Sequence, residues 1–436
     1  MADRRHQLTE QAARLTTAND EWLADHTPAF DPLGWTDTDA IEYRRKAFSE
    51  LALYVYVADC LSPAAPEPLT AVVDETLQRE AYVDLLRRDP TKLLRYAPAL
   101  TVGLARDTVG ESVREAVTTA VTHPAVTGTE WLANRRLDVA RLAALAGREP
   151  QVDPAAVLAR SAVAGDPVPI RGSRMDAYAL THAILFATDF GTERQPLGNL
   201  AAHDFQTALD GYLLRFVADG HTDVAAELVL CGVVTGQVSP ALVEWTLNWL
   251  HEETTELGHT PGPEVVTAPP TLTGPTPDDD DPESFDPESV GLPSTWLEDY
   301  HTALVGGMLG RVVSHHGDRL DWEGAATADP EALSALGAAL EAFADYELQD
   351  GAERLVELSD HTLPTSLTPV VERVEAFLRE QRDDDGQFGY WTDERHMFEL
   401  AGHDAAAFEA GPLARTTAAC EDGLVAVTEI TETHDT

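Results

Sequence analysis

Three apolar stretches with helical spacing carry proton-active side chains along one face. Their polar members are Tyr178, Thr181, His182 and Asp189 in the first stretch, Asp223, Glu227 and Cys231 in the second, and Tyr300, His301 and Thr302 in the third. A buried carboxylate, imidazole or thiol is costly unless it is paired, binds a metal or lines a wet cavity. The three stretches therefore predict one shared pocket.

Each of these residues has a chemical and a structural interpretation. Glu227 lies in an apolar run, where burial would raise its pKa and suit it to general acid catalysis. His182 could be a catalytic group or could only bond Asp189 or a carbonyl group in the core. Asp189 could equally cap a loop, and Cys231 could be a small buried hydrophobe. We take His182, Asp189 and Glu227 as the candidate catalytic residues.

The elements that position these residues are predicted to be helices. Apolar positions recur at helical spacing almost throughout, and no Asn-Gly hairpin signal separates alternating segments. Ser239 before Pro240 and Thr368 before Pro369 each mark a helix start. The sequence predicts an all-α protein, with helices near residues 40–60, 66–86, 129–147, 173–189, 203–219, 222–236, 240–256, 294–315, 330–346, 368–382 and 411–424.

The predicted helices suggest an arrangement in hairpins. The helices that carry His182 and Cys231 are about 45 residues apart, a period typical of helical hairpins. Stacked hairpins form either an open α-solenoid or a closed α/α toroid. The nearly uncharged segments 228–234 and 303–309 suit inner helices of a closed ring. We expect hairpins in residues 1–257 and 294–436 to build the toroid, with the open solenoid as the alternative.

The segment between these parts has a different composition. Residues 258–293 are rich in Pro, Thr, Asp and Glu and include four consecutive aspartates from Asp278 to Asp281. So little apolar surface cannot bury a face. We expect an exposed acidic linker or loop.

The charge balance excludes several classes of protein. The chain has 75 Asp and Glu against 30 Lys and Arg, a formal net charge of -45, and Lys46 and Lys92 are its only lysines. A surface of carboxylates keeps a protein hydrated in concentrated salt, which is typical of an extreme halophile such as a halophilic archaeon. The same charge repels phosphate backbones, so nucleic acid is not an expected partner.

The remaining composition points to a cytoplasmic protein. No apolar run approaches the ~18 residues of a membrane span, and the first residues lack a signal-peptide core. Cys60, Cys231 and Cys420 are widely separated and lack a C-x-x-C pair. Neither a disulfide framework nor a zinc-finger module is predicted.

The segment 374–391 resembles the Q-W repeat of the terpene cyclase and protein prenyltransferase β-subunit superfamily. The matching residues are Phe377, Leu378, Gln381, Gly386, Phe388, Gly389 and Trp391. The resemblance covers one motif of about eighteen residues and implies an α/α toroid. A second segment, Leu-Thr-His followed by Thr-Asp-Phe-Gly at 180–191, is similar to a helix shared by a group of bacterial and archaeal proteins.

The first resemblance also implies a metal. Prenyltransferase β-subunits hold zinc with an Asp, a Cys and a His, and Tyr300-His301-Thr302 is similar to the element that carries the His. The Asp-x-Cys pair of that family is absent here. Polar positions on separate apolar helices, together with the softness of sulfur and imidazole ligands, point to Zn²⁺ held by Cys231, His301 and either His182 or Asp189.

These observations lead to two expectations about function. The first is a halophilic toroid enzyme, a cyclase or transferase acting on an isoprenoid or peptide in a central cavity. The second is a non-catalytic helical scaffold that binds a peptide or protein partner. The DDxxD magnesium motif and the Lys/Arg set of isoprenoid diphosphate enzymes are missing, which favours the scaffold.

Overall fold

A computed structural model describes residues 2–33, 38–150, 152–165, 168–192, 205–263, 294–320, 322, 329–389, 402, 411 and 413–434. Within these ranges the chain is helical and forms no strand, and one isolated antiparallel bridge pairs Arg382 with Phe388. The prediction of an all-α protein is confirmed. No helix in the described ranges is long and apolar enough to cross a membrane.

Eighteen α-helices occur in these ranges. They are α1 (Ala2–Asp25), α2 (Thr38–Leu61), α3 (Glu67–Leu77), α4 (Glu80–Arg88), α5 (Leu93–Ala105), α6 (Glu111–Val121), α7 (Pro124–Thr127), α8 (Ala133–Leu145), α9 (Pro154–Leu158), α10 (Arg174–Ala187), α11 (Phe205–Ala218), α12 (Thr222–Thr235), α13 (Pro240–Leu257), α14 (Ser294–His316), α15 (Pro330–Ala344), α16 (Leu348–Leu358), α17 (Thr368–Glu380) and α18 (Ala414–His434).

Some of these helices differ from the prediction. The single helix expected over 66–86 is two helices, α3 and α4, and the helices that were not predicted are α1, α5, α6, α7, α9 and α16. In α5 every residue from Leu93 to Leu104 is buried, and Pro98 lies inside the helix. A helix buried all round has no amphipathic face, so hydrophobic periodicity cannot detect it.

Six helices make a circuit of contacts. In chain order α2 contacts α5, α5 contacts α8, α8 contacts α10, α10 contacts α12, α12 contacts α14, and α14 contacts α2 again. We call these six the inner helices. The helices between them in sequence, such as α6, α11 and α13, pack against the inner helices as the second members of hairpins. The circuit favours the closed toroid over the open solenoid, and the choice between them stays a prediction.

Side-chain contacts show that neighbouring inner helices run in the same direction. Tyr178 and Thr181 of α10 contact Asp223 and Cys231 of α12, so both helices advance together. In the same way Glu50 and Tyr54 of α2 lie against His301 and Gly307 of α14. Two successive inner helices run parallel when the chain between them returns along an outer helix.

Helix α14 closes the circuit because glycine lets it approach its neighbours. A Cβ atom at Gly307 would lie 2.5 Å from the Tyr54 hydroxyl, and one at Gly310 would lie 2.5 Å from the Ala12 carbonyl oxygen. Arg311 is fully buried and donates to Asp20 Oδ2 at 2.8 Å and to Tyr54 at 2.6 Å. This cluster joins α1, α2 and α14.

The last four helices form a separate layer. Helices α15 and α17 pack on α11, and α16 and α18 pack on α15 and α17. Only α14 of the predicted segment 294–436 is an inner helix, so the expectation that this whole segment completes the ring is not what the contacts show. The Q-W-like residues lie at the end of α17, where Phe388 is buried. Trp391 lies outside the described residues.

The predicted linker starts differently from the expectation. Gly258 ends α13 with a φ of 82°, but His259 and Thr260 are buried instead of exposed. The backbone N–H of Thr260 donates to Asn19 Oδ1 at 2.9 Å. The acidic run from Asp278 to Asp281 belongs to residues 264–293, which lie outside the described ranges.

Candidate functional site

The polar columns of α10 and α12 face each other. The Thr181 hydroxyl donates to Glu227 Oε2 at 2.5 Å, and the Tyr178 hydroxyl donates to Asp223. Thr181, Glu227 and Asp223 are all buried. The helical spacing places each set on one face, and the parallel packing of the two helices brings the sets together.

Asp223 ends a hydrogen-bond chain with a fixed direction. Arg174 Nη1 lies 2.9 Å from His221 Nε2, and because arginine can only donate, Nε2 accepts and the His221 proton lies on Nδ1. That Nδ1 donates to Asp223 Oδ1 at 2.6 Å. Burial raises the pKa of Asp223, but the hydrogen bond from His221 and the charges nearby outweigh it and hold the pKa at about 2. Asp223 is therefore an ionised group that holds Tyr178.

His301 lies between two carboxylates from different helices. Its Nδ1 is 3.4 Å from Glu50 Oε2 on α2, and its Nε2 is 3.9 Å from Glu227 Oε1 on α12. Burial lowers the pKa of His301, but the charge of Glu50 and the hydrogen bond to it outweigh burial, so the pKa is raised above 6.5. The ring therefore keeps its proton to a higher pH than a free imidazole does. Its Nε2–H is beyond hydrogen-bond distance from Glu227.

His182 is the chemical opposite of His301. Its Nδ1 lies 2.7 Å from the carbonyl oxygen of Tyr178, so Nδ1 carries the proton and Nε2 keeps a lone pair. Burial lowers the pKa of His182, and although the charge of Glu227 opposes this, the pKa stays below 6.5. The charges of Arg135 and His301 add to the lowering. His182 is a neutral base at neutral pH.

A lysine and a phenol complete the α2 side of the site. Lys46 is buried, and its Nζ lies 3.7 Å from Glu50 Oε1. Burial raises the pKa of Glu50, but the charges of Lys46 and His301 outweigh it and lower the pKa to about 2. The hydroxyl of Tyr300 is buried next to Glu50, and burial raises its pKa, so the phenol stays neutral.

Helix α8 adds Arg135, which the sequence analysis did not identify. The charge of Arg135 acts on His182 of α10, and the charge of Glu50 acts on Arg135. One turn further along α8, burial raises the pKa of Asp138 to about 6 against the opposing charges of two arginines. We call Lys46, Glu50, Arg135, His182, Glu227 and His301 the interior cluster.

The interior cluster borders open space. His301 keeps 30% and Glu50 keeps 18% of its side chain accessible, although burial is the largest single influence on the pKa of both. Both residues lie on inner helices, and the interior cluster draws its side chains from five of these helices. Water can therefore reach both side chains.

Asp189 lies apart from this cluster. It accepts hydrogen bonds from Arg141, from Tyr56 and, at 3.2 Å, from Thr192 Oγ1. It lies seven residues beyond His182, about 10 Å along the helix axis. Its role as a catalytic partner of His182 is therefore not supported, and the loop-capping interpretation fits better.

The backbone at Asp189 is unusual. Asp189, Phe190 and Gly191 have φ values of 48°, 56° and 80°, so three consecutive residues are left-handed, a strained conformation for the first two. The ion pair with Arg141 and the bond from Tyr56 hold this turn in place.

Cys231 is a core residue. Its thiol is fully buried and donates to the Thr181 carbonyl oxygen at 3.5 Å, and burial raises its pKa well above 9. A high pKa disfavours the thiolate that zinc requires. The predicted metal ligands also stay apart. Among the described residues, the ligand atoms of Asp329, Glu331 and His361 are the one set of three within 4.8 Å, and this set lies outside the ring. The geometry does not favour Zn²⁺ at Cys231, His301 and His182.

Three members of the interior cluster were missed, namely Lys46, Glu50 and Arg135. The signal for Lys46 was weak, because Arg44 and Arg45 directly precede it in the polar first half of its helix. Glu50 lies four residues after Lys46 and could have been paired with it on the same helix face. Arg135 gave no signal, because it is one of two adjacent arginines in a helix with ordinary polarity.

The inner helices coincide with a sequence family. No curated protein and no solved structure matches the chain. The family described as Domain of unknown function (DUF6895) matches residues 18–311. This range begins within α1 and ends at Arg311 of α14, so it contains all of the interior cluster and leaves out α15 to α18. Because the match covers more than half of the sequence, the chain belongs to the DUF6895 family.

Proposed function

We propose that the interior cluster is the active site of an enzyme that moves protons on a small polar substrate, with His182 as the general base and His301 as the general acid. The observation that carries this proposal is that His182 Nδ1 is bonded to a backbone carbonyl group whereas His301 Nδ1 faces the Glu50 carboxylate, and these surroundings shift the two pKa values in opposite directions. Environments that drive two titratable groups apart in pKa set up one base and one acid at the same pH.

The two histidines are suitably exposed for this role. His182 Nε2 has a lone pair directed away from the Tyr178 carbonyl group, which occupies Nδ1. His301 presents Nε2–H across a 3.9 Å gap to Glu227, which leaves that proton available to a ligand oxygen. In one turnover His182 accepts a proton from the substrate and His301 donates one to it. After the product leaves, His182 gives its proton to solvent water and His301 takes one from solvent water, which restores both groups.

The lining determines which substrates fit. The interior cluster brings the cationic groups of Lys46 and Arg135 close to the carboxylate groups of Glu50 and Glu227. An isoprenoid would leave these charges without water or partners, at a high cost in free energy. The cluster therefore supports the enzyme expectation but favours a polar substrate over the isoprenoid. An isomerisation fits better than a cyclisation or transfer, because it needs only one base and one acid.

The pKa order can be measured on the protein itself. NMR titration of the histidine ring signals in 3 M KCl should show His182 titrating below 6.5 and His301 above it. His182→Gln and His301→Gln assign the two signals by their disappearance. His6, with 77% of its side chain exposed, provides an internal reference. Equal pKa values for the two rings, or a higher pKa for His182 than for His301, would refute the acid and base assignment.

Turnover can be tested without knowing the substrate. The protein is incubated in D₂O with mixtures of small polar compounds, and mass spectrometry records deuterium gained at carbon. We expect exchange with the wild type, none with His182→Gln, and normal exchange with the surface variant His6→Gln. A compound that binds without exchange in any variant would instead indicate the non-catalytic scaffold.

A further inference from the structure

Arg135 is a guanidinium group without a protein partner. Within the described ranges its side chain makes no ion pair and no hydrogen bond, and its Nη1 is completely buried. Two buried arginines elsewhere are paired, Arg141 with Asp189 and Arg311 with Asp20. Arg135 as a whole is only partly buried, but a polar atom that is buried without a partner is costly, and a bound water, ion or ligand is the usual explanation for it.

The position of Arg135 connects it to the proposed site. Helix α8 packs on α10, and the ion pair between Arg141 and Asp189 lies six residues after Arg135 and seven after His182, so Arg135 lies at the level of His182. The charges of Asp138 and Glu50 act on Arg135 without forming an ion pair with it. Burial lowers the pKa of Arg135 despite these carboxylates. The guanidinium group therefore lies near His182, the proposed base, and the nearby carboxylates offset only part of its charge.

We propose that Arg135 binds the carboxylate group of the substrate, so that the ring interior takes a small organic acid. This proposal rests on the proposed function of the same cluster. A carboxylate presents two oxygen atoms that fit the planar guanidinium fork. A phosphate group fits as well, but it carries more charge and would face the ionised Glu50 and Asp223. A singly charged carboxylate balances Arg135 with less repulsion.

The test uses acetate as the simplest carboxylate probe. The melting temperature of the full chain is measured at 3 M potassium while chloride is replaced stepwise by acetate. The matched variants are Arg135→Gln and Arg136→Gln, because Arg136 is the next residue on α8 and is exposed. Acetate stabilises most proteins through solvent effects, so the readout is the difference between variants.

We expect acetate to raise the melting temperature of the wild type and Arg136→Gln by about 1 °C or more beyond its effect on Arg135→Gln. In chloride without acetate, Arg135→Gln should melt no lower than the wild type, since it removes a guanidinium group whose Nη1 is buried without a partner. An equal acetate effect in all three proteins, or a lower melting temperature of Arg135→Gln in chloride, would overturn the proposal. So would an Arg135-dependent effect of inorganic phosphate larger than that of acetate. The histidine titration fails or succeeds independently of these results, so the two proposals are separable.

Discussion

Replacing Glu50 with glutamine should convert His301 from an acid into a neutral group. Glu50 Oε2 lies 3.4 Å from His301 Nδ1, and its charge is the largest influence that raises the pKa of His301. Two unit charges about 4 Å apart at an effective dielectric constant near 20 attract by on the order of 4 kcal/mol. Since one pKa unit corresponds to about 1.4 kcal/mol, the attraction is worth up to ~3 units.

The measured fall in the pKa of His301 should be a substantial part of this upper limit. The Glu50→Gln variant would keep burial and the charge of Lys46, both of which lower the pKa of His301. Asp223 still raises it, so the change stays below the limit. We expect the pKa of His301 to fall by at least about one unit, to a value below 6.5. Molar salt screens this pair weakly because it is buried.

The assay is an NMR titration of the wild type, Glu50→Gln and Asp59→Asn. Asp59 is the matched control, because it is a carboxylate of the same helix that pairs with Arg106 at 2.7 Å. Asp59→Asn should leave the His301 titration unchanged. A shift of less than half a unit in Glu50→Gln, with the ring signal still in place, would show that Glu50 does not hold the proton on His301.

The destabilisation caused by Glu50→Gln should depend on pH. The folded-state pKa of His301 is raised, so its stabilising effect is complete below pH 6.5 and is lost as the pH rises through the folded-state value. Glu50 stays ionised throughout this window, because its pKa is about 2. The loss of unfolding free energy in Glu50→Gln should therefore be larger at pH 6 than at pH 9. A difference that grows with pH would contradict the reasoning.

The net charge and the cysteines give two further predictions. With a formal net charge of -45 the fold should need molar salt, because salt screens the repulsion among carboxylates. The Debye length falls from ~10 Å at 0.1 M to ~3 Å at 1 M. Equal melting temperatures in 0.1 M and 3 M KCl would contradict this prediction. Iodoacetamide should label Cys60 in the native protein, because Cys60 is exposed, and should reach Cys231 and Cys420 only on unfolding, because both are buried. Peptide mass spectrometry measures this order, and native labelling of Cys231 would mean that its thiol is accessible through the ring interior.

The sequence alone determined the class of fold and part of the site. Helical periodicity and proline-marked starts predicted α10, α12, α13, α14 and α17, because these signals are local. The polar faces of α10 and α12 could also be predicted, since a helix places residues four apart on one side. What the pattern could not show was distance, so Asp189 and Cys231 were grouped with His182 and His301.

The tertiary structure decided which polar groups meet. The expectation of zinc depended on Cys231 reaching His301, but the thiol points to a carbonyl group between α10 and α12. Glu50 and Arg135 come from α2 and α8, more than a hundred residues from His301 in sequence, and no local signal links them. The opposite pKa shifts of His182 and His301 depend on which charges surround each ring. Sequence periodicity fixes the face on which a residue lies, whereas the packing of the inner helices fixes its neighbours and therefore its chemistry.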